Sequence, residues 1–207
     1  MFAGKPIIGI AGGIGSGKTF VASLFGELGG LVISSDEQVH LAYQRDDVRA
    51  RLRQWWGDAI FAADGSLDRR AIARLIFSDP AQKQRLERYI HPIVNAQRTQ
   101  IMALAAKNHG VRAYIWDIPL LFEVGLNRDC DAVVFVDTPL ADRQRRVHAS
   151  RGWAPEELAR RENFQMPLDK KRFTSHYIVN NGGTADVVRE QARDVFSRIL
   201  AGSHTTA

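Results

Sequence analysis

The stretch Gly12-Gly13-Ile14-Gly15-Ser16-Gly17-Lys18-Thr19 satisfies G-x-x-x-x-G-K-[ST] at every fixed position. This feature constrains the chain most, because such a loop works only between a strand and a helix. Both flanks comply. Pro6-Ile7-Ile8-Gly9-Ile10-Ala11 is a short apolar run that reads as a buried strand. From Lys18 to Leu28, apolar Val21, Leu24, Phe25 and Leu28 recur at helical spacing until Gly29-Gly30 stops them. Leu31-Val32-Ile33 then reads as a second strand, ending at Ser34-Ser35-Asp36. Strand, helix, strand is one βαβ unit, so the predicted class is α/β with a parallel sheet.

The loop has a chemistry. Glycines let successive backbone N–H groups turn inward around an anion with no Cβ in the way. The helix N-terminus adds unpaired donors and a partial positive charge. Lys18 can reach the β- and γ-phosphates of a nucleotide, and the Thr19 hydroxyl can ligate Mg²⁺. A glycine-rich turn with nothing bound needs no such complete motif in such a context. Nucleoside triphosphate binding is the expectation.

Beyond Asp36 the pattern turns helical, from Glu37 to about Gly110. Val48, Leu52 and Trp55 share a face. Asp68 is placed to cap a helix containing Ile72, Leu75 and Ile76. Asp79-Pro80 reads as a cap followed by proline at the first helical position. That helix carries Leu86, Tyr89 and Ile90 and is expected to stop or kink at His91-Pro92. A further run passes Ile101 and Leu104 to Asn108-His109-Gly110. The block is too long for a simple crossover and predicts a lobe beside the sheet. Strand character returns at Ala113–Asp117 and Ala132–Asp137, both ending in aspartate. Tyr177-Ile178-Val179 is a last strand before the turn Asn180-Asn181-Gly182-Gly183. Thr184 can cap a final helix with Val188, Ala192, Val195, Phe196 and Ile199 inward. The tail Gly202 to Ala207 reads as frayed.

Composition narrows the setting. The 207 residues suit one domain, or a core with lobes. No stretch approaches the roughly 18 consecutive apolar residues of a membrane span. The N-terminus has no basic leader, long apolar segment and cleavage site, and Cys130 is the only cysteine. A cytoplasmic protein without membrane contact is expected. The net charge of +5 is mostly an arginine excess. It marks either a solvated basic surface or a polyanionic ligand, nucleic acid or a phosphate-rich small molecule.

Other residues bear on what receives a phosphate. Asp36 follows the second strand at the carboxyl end of the sheet, where ligand crevices of open α/β sheets lie. It can accept a hydroxyl proton or orient a nucleophile, or it can cap the next helix. Asp117 either holds the Mg²⁺ water shell or forms a strand-end turn. Pro119, Leu120, Leu121, Phe122 and Glu123 leave a strand end, as core or as the lining of an acceptor pocket. From Arg143 to Trp153 the chain is densely basic, and Arg160, Arg161, Lys170, Lys171 and Arg172 follow. This is either a solvated basic helix or a lid. Helix, glycine break, helix is the build of a lid that brings arginines over phosphates and excludes water.

The segments IGIAGGIGSGKT, LGGLVISSD, IHPIV, DIPLLFEVGL, VVFVDTP, the arginine block with Gln165-Met166-Pro167, and YIVNNGG occur in one order. Together, from about Ile7 to Leu200, they resemble the dephospho-CoA kinase family. Adenylate, shikimate and gluconate kinases share the loop and lid, not that set. The resemblance implies transfer of the ATP γ-phosphoryl group, with Mg²⁺, to the ribose 3′-hydroxyl of dephospho-CoA in the last step of coenzyme A synthesis. It implies a P-loop NTPase-type parallel sheet flanked by helices, with a helical acceptor-binding lobe and a lid. The boundaries are 1–36, 111–142 and 176–202 for the nucleotide core, 37–110 for the lobe, and 143–175 for the lid.

Carried over by residue, Asp36 matches the family's proposed general base. Gly13, Gly15, Ser16, Gly17, Lys18, Thr19 and Phe20 match the phosphate loop and its edge, with Thr19 and Asp117 toward the metal. His91 sits in the HP motif of the acceptor lobe, and Pro119, Leu120, Leu121 and Glu123 match the acceptor-side motif. Arg146 and Arg151 fall near the lid arginines, and Asn181 near the adenine. The chain departs from the family's habits at Ser34, where an aspartate is common, at Phe20, where a second hydroxyl is common, at Ser175-His176, and in the spacing of Arg146 and Arg151. A monomer or small homo-oligomer with no nucleic-acid partner is expected. Two rivals are a kinase for another small acceptor, and a nucleotide-dependent protein binding nucleic acid through the arginine block, with strongly salt-sensitive affinity.

Overall fold

The computed structural model describes residues 1–202; of the frayed tail expected at 202–207, residues 203–207 lie outside the described residues. In chain order the elements are β1 (Ile7–Gly12), α1 (Lys18–Glu27), β2 (Gly30–Ser34), α2 (Ser35–Gln44), α3 (Asp46–Trp56), α4 (Arg69–Ser78) and α5 (Pro80–Ala105). They continue as β3 (Ala113–Asp117), β4 (Ala132–Asp137), α6 (Leu140–Arg151), α7 (Pro155–Glu162), α8 (Leu168–Phe173), β5 (Tyr177–Asn180) and α9 (Ala185–Leu200). Two compact units result. One is Met1–Ser34 with Met102 onward, and the other is Ser35–Ile101.

The first unit holds a five-stranded sheet in the order β2-β3-β1-β4-β5, every neighbouring pair parallel. Parallel strands buried on both faces read as continuous apolar runs, which is how β1, β3 and β4 read. Alternation still sorts their side chains. Ile8 and Ile10 enter a core with Val21, Leu24 and Phe25 of α1 and Val188, Ala192, Val195, Phe196 and Ile199 of α9. Gly9 points to the opposite face, where a Cβ would sit 2.7 Å from Leu121 Cδ2 and 2.8 Å from Cys130 Sγ. A glycine is needed there for the segment after β3 to lie against β1. The register pairs Asp117 with Ile10 on one side and Ser34 on the other. Three strand ends therefore reach one edge, where the phosphate loop begins.

The second unit is helical. Ala42, Val48, Leu52, Ile60, Ile72, Leu86, Ile90 and Val94 form its core, with Trp55, Trp56 and Tyr89 packed against it. Asp68 caps α4 by accepting from Arg70 N at 2.8 Å and Ala71 N at 3.1 Å. Asp79 serves α5 similarly, accepting from Ala81 N at 2.8 Å. Of the stop or kink expected at His91-Pro92, the stop does not occur, since α5 runs through Pro92. Pro92 lies on the exposed side, where water can replace the one backbone bond a proline removes. Thr184 occupies the N-cap position of α9 without a side-chain cap bond.

Candidate active site

The start of α1 is built for an anion. Its N-cap is Gly17 at φ 84° and ψ 32°, no side chain caps it, and its first turn has no acidic residue. The orphan N–H groups and positive dipole end are thus left uncompensated by the protein. Gly17 has a double reason to be glycine. The left-handed conformation disfavours a Cβ, and a Cβ there would collide with Asn181 Nδ2. Gly17→Ala is expected to weaken ATP binding at least tenfold. The left-handed penalty alone is about 1–2 kcal/mol, and the displaced Asn181 adds to it. Calorimetric titration with ATP checks this, alongside a thermal melt.

Lys18 curls back over the loop. Its Nζ donates to Gly13 O at 2.8 Å and Gly12 O at 3.2 Å. Burial, reinforced by the positive charges of Lys171 and Arg151 against the pull of Asp117 and Glu123, pushes its ammonium down to about 8. Thr19 Oγ1 donates to Asp117 Oδ2 at 2.7 Å, and Asp117 is buried at the end of β3. Hydroxyl and carboxylate oxygens are the hard donors Mg²⁺ takes. Among the described residues no group of three or more His, Cys, Asp or Glu is arranged to hold a metal. The Thr19–Asp117 pair presents two such oxygens at the start of α1.

Helix α6 follows β4 and lies on the loop. Arg143 is buried, pairs with Glu162 at the end of α7, and donates to Ile14 O at 3.4 Å. Glu162 Oε1 also accepts from Ile14 N at 3.2 Å. Arg146 donates to Ser16 O at 3.3 Å and Asn181 O at 2.9 Å. The side chain of Asn181 donates to Ser16 O at 2.7 Å. In this state both residues brace the loop. The α6, Gly152, α7 arrangement supplies the expected helix, glycine break and helix. Arg151 is exposed and sits over the Trp153 ring at 4.7 Å, while Arg161 stands at 4.2 Å from the same ring. Phe20 faces solvent in part, at 37% exposure.

After β3, Leu121 and Phe122 turn into the core while Pro119 and Leu120 stay on the surface. Glu123 accepts from Lys171 Nζ at 2.8 Å and from Met166 N at 2.9 Å. Lys171 is 2% exposed and also donates to Gln165 Oε1 at 3.0 Å. A buried ammonium with one carboxylate partner tolerates the loss of that partner badly. Glu123→Gln is expected to destabilise the fold by about 3 kcal/mol, measured as a shift in urea midpoint; a change under 0.5 kcal/mol would remove the pair from that role.

The structure thus gathers Gly13–Thr19, Asp117, Glu123, Arg146 and Asn181 in the first unit. Asp36 is exposed in the first turn of α2, and His91 is exposed on α5, both in the second unit. Nothing in the sequence singles out Thr138 or Glu162, and Arg143 reads there only as the first residue of the basic run taken as a solvated helix or a lid. Arg143 and Glu162 stand 19 residues apart, with no periodicity to relate them.

A family model described as dephospho-CoA kinase matches residues 6–186. A dephospho-CoA kinase of Syntrophotalea carbinolica is 33% identical over 198 residues, covering 95% of this chain and 93% of that one. A crystal structure of a Thermus thermophilus protein superimposes with a TM-score of 0.78 at 36% identity, over 96% of this chain and 98% of that one. A shikimate kinase from Acinetobacter baumannii, solved with shikimate, shares the fold at a TM-score of 0.52 and 17% identity, over 97% and 96% of the two chains. The fold is thus shared with a kinase of another acceptor, while the family model and the relative covering most of the chain agree on one family: this chain belongs to the dephospho-CoA kinase family.

Proposed function

We propose that the protein transfers the γ-phosphoryl group of ATP to the ribose 3′-hydroxyl of dephospho-CoA, giving coenzyme A and ADP. The observation that carries the donor half is the uncapped start of α1, with Lys18 and the Thr19–Asp117 pair beside it. Family membership supports the acceptor half.

Phosphoryl transfer has a loose transition state, so positioning and charge neutralisation dominate. The loop amides and Lys18 hold the phosphate chain. Thr19 and Asp117 would hold Mg²⁺, which neutralises charge on the phosphate oxygens when bound. Asp36 orients the acceptor hydroxyl and takes its proton late, as the new P–O bond forms and the bond to ADP breaks. Arg151 contributes charge from the lid, and His91, Pro119, Leu120 and Glu123 belong to the acceptor side, with Leu121 packed in the core beneath that segment. Arg146 and Asn181 serve the nucleotide side, where Phe20 and Asn181 flank the donor. We take 1–36, 111–142 and 176–202 as the core, 37–110 as the lobe and 143–175 as the lid; the compact unit Ser35–Ile101 supports a helical lobe with somewhat different bounds. Among the described residues no helix is long and apolar enough to cross a membrane; we place the enzyme in the cytoplasm, as a monomer or small homo-oligomer without nucleic acid.

Product analysis tests the reading. Incubation with ATP, Mg²⁺ and dephospho-CoA should yield one product bearing an added phosphate on the 3′-oxygen, seen by ³¹P NMR. Phosphate on another oxygen, or ADP without that product, contradicts it.

A further inference from the structure

The carbonyl of Ser16 collects three donors from distant parts of the chain. Asn181 Nδ2 lies at 2.7 Å, Thr138 Oγ1 at 2.9 Å and Arg146 Nη1 at 3.3 Å. Thr138 is 122 residues from Ser16 and Asn181 is 165. Thr138 and Asn181 are both buried. Their supports are linked, since Asn181 N donates to Asp137 O at 2.7 Å and Asn181 O accepts from Arg146 Nη2 at 2.9 Å. The ends of β4 and β5 and the middle of α6 thus converge on one oxygen.

That oxygen belongs to the peptide joining Ser16 to Gly17. The unit is planar and trans, so its C=O and the N–H of Gly17 point in opposite directions. Holding the oxygen from outside aims the N–H inward. Donors on the carbonyl also polarise the amide and strengthen it as a donor. Without side-chain pinning, a glycine-rich backbone has the freedom to rotate this plane.

We propose that Thr138 is a positioning residue of the phosphate loop: its hydroxyl, with Asn181 and Arg146, fixes the Ser16 carbonyl and so presets the Gly17 amide for a phosphate oxygen. The inference rests on the reading that the loop holds nucleotide phosphates. Threonine is suited to this place because its methyl packs in the buried site while its hydroxyl donates. Valine keeps the shape and removes the donor.

The test uses the full-length protein as Thr138→Val and Thr138→Ser, with ATP binding by calorimetry and steady-state kinetics in both substrates. Thr138→Val should raise the Kd and KM of ATP about three- to tenfold, the range of one net hydrogen bond. The KM of dephospho-CoA should stay within about twofold, and Thr138→Ser should restore ATP affinity. Wild-type ATP affinity in Thr138→Val, or equal losses in the valine and serine variants, overturns the proposal. If Thr138→Val does not fold by circular dichroism, Thr138→Ala carries the same expectation. Unfolding of both assigns the hydroxyl to the core and also overturns it. Failure of the wild-type protein to bind ATP instead overturns the nucleotide reading beneath it.

Discussion

Asp36→Asn is expected to lower kcat by about 10²-fold or more, the scale of general-base catalysis, while the Kd of ATP stays near the wild-type value. The exchange keeps the shape of the side chain and removes its ability to take a proton. Asp36 is exposed in the first turn of α2, so little packing is at stake. It does lose a favourable charge near a helix N-terminus, worth about 0.3–1 kcal/mol, which a thermal melt will register. Because the transition state is loose, the proton leaves late and the rate loss lies toward the low end of the general-base range. ADP release at saturating ATP and dephospho-CoA, beside calorimetry with ATP alone, separates chemistry from donor binding. A near-wild-type kcat removes Asp36 from the base role. Two residues upstream stands Ser34, so no second carboxylate there can take over.

Lys18→Ala is expected to lower kcat by about 10²–10³-fold, the loss typical of removing one charge-stabilising donor from a preorganised site. Its pH behaviour separates Lys18 from the other cations. The ammonium titrates near 8, below the ordinary lysine value of 10.5, chiefly because it is buried. Nucleotide phosphates favour its charged form, so its pKa in the complex lies higher. ATP affinity should therefore be fully present below pH 8 and decline as pH rises above 8. Folding follows the opposite sign. Between about pH 8 and 10.5 the unfolded chain binds more protons than the folded one, so this group adds stability as pH rises through that window. Both slopes should vanish in Lys18→Ala. Normal kcat at saturating ATP in that variant contradicts the assignment of the loop.

What was legible in the sequence was local. Gly12 to Thr19 declares its chemistry because backbone geometry and one helix terminus create it. The apolar runs of β1, β3 and β4 declare a parallel sheet, and the 3.6-residue pattern of α9 places Val188, Ala192, Val195, Phe196 and Ile199 inward. The second layer of the site was not legible in this way. The partnership of Ser16 with Thr138 and Asn181 depends on β4 and β5 ending at the same edge. The Glu123–Lys171 pair depends on a buried lysine in a basic run that reads as a solvated helix or a lid. Arg146 reads as a lid arginine and is found bracing the loop. Pro92 shows the reverse case, where a strong local signal yields to context because its side of α5 faces water. Asp36 was legible as a carboxylate at the ligand end of the sheet, open to proton transfer or to helix capping, and only the family resemblance points to the first.

Acceptor choice decides which kinase this protein is. ADP release should be measured with ATP and Mg²⁺ against dephospho-CoA, a nucleoside monophosphate, shikimate and gluconate under identical conditions. The kcat/KM for dephospho-CoA should exceed that for every other acceptor by about 10³-fold or more, within reach of sites that pair a substrate's own polar groups. Comparable turnover of any other acceptor, or none with dephospho-CoA, contradicts it.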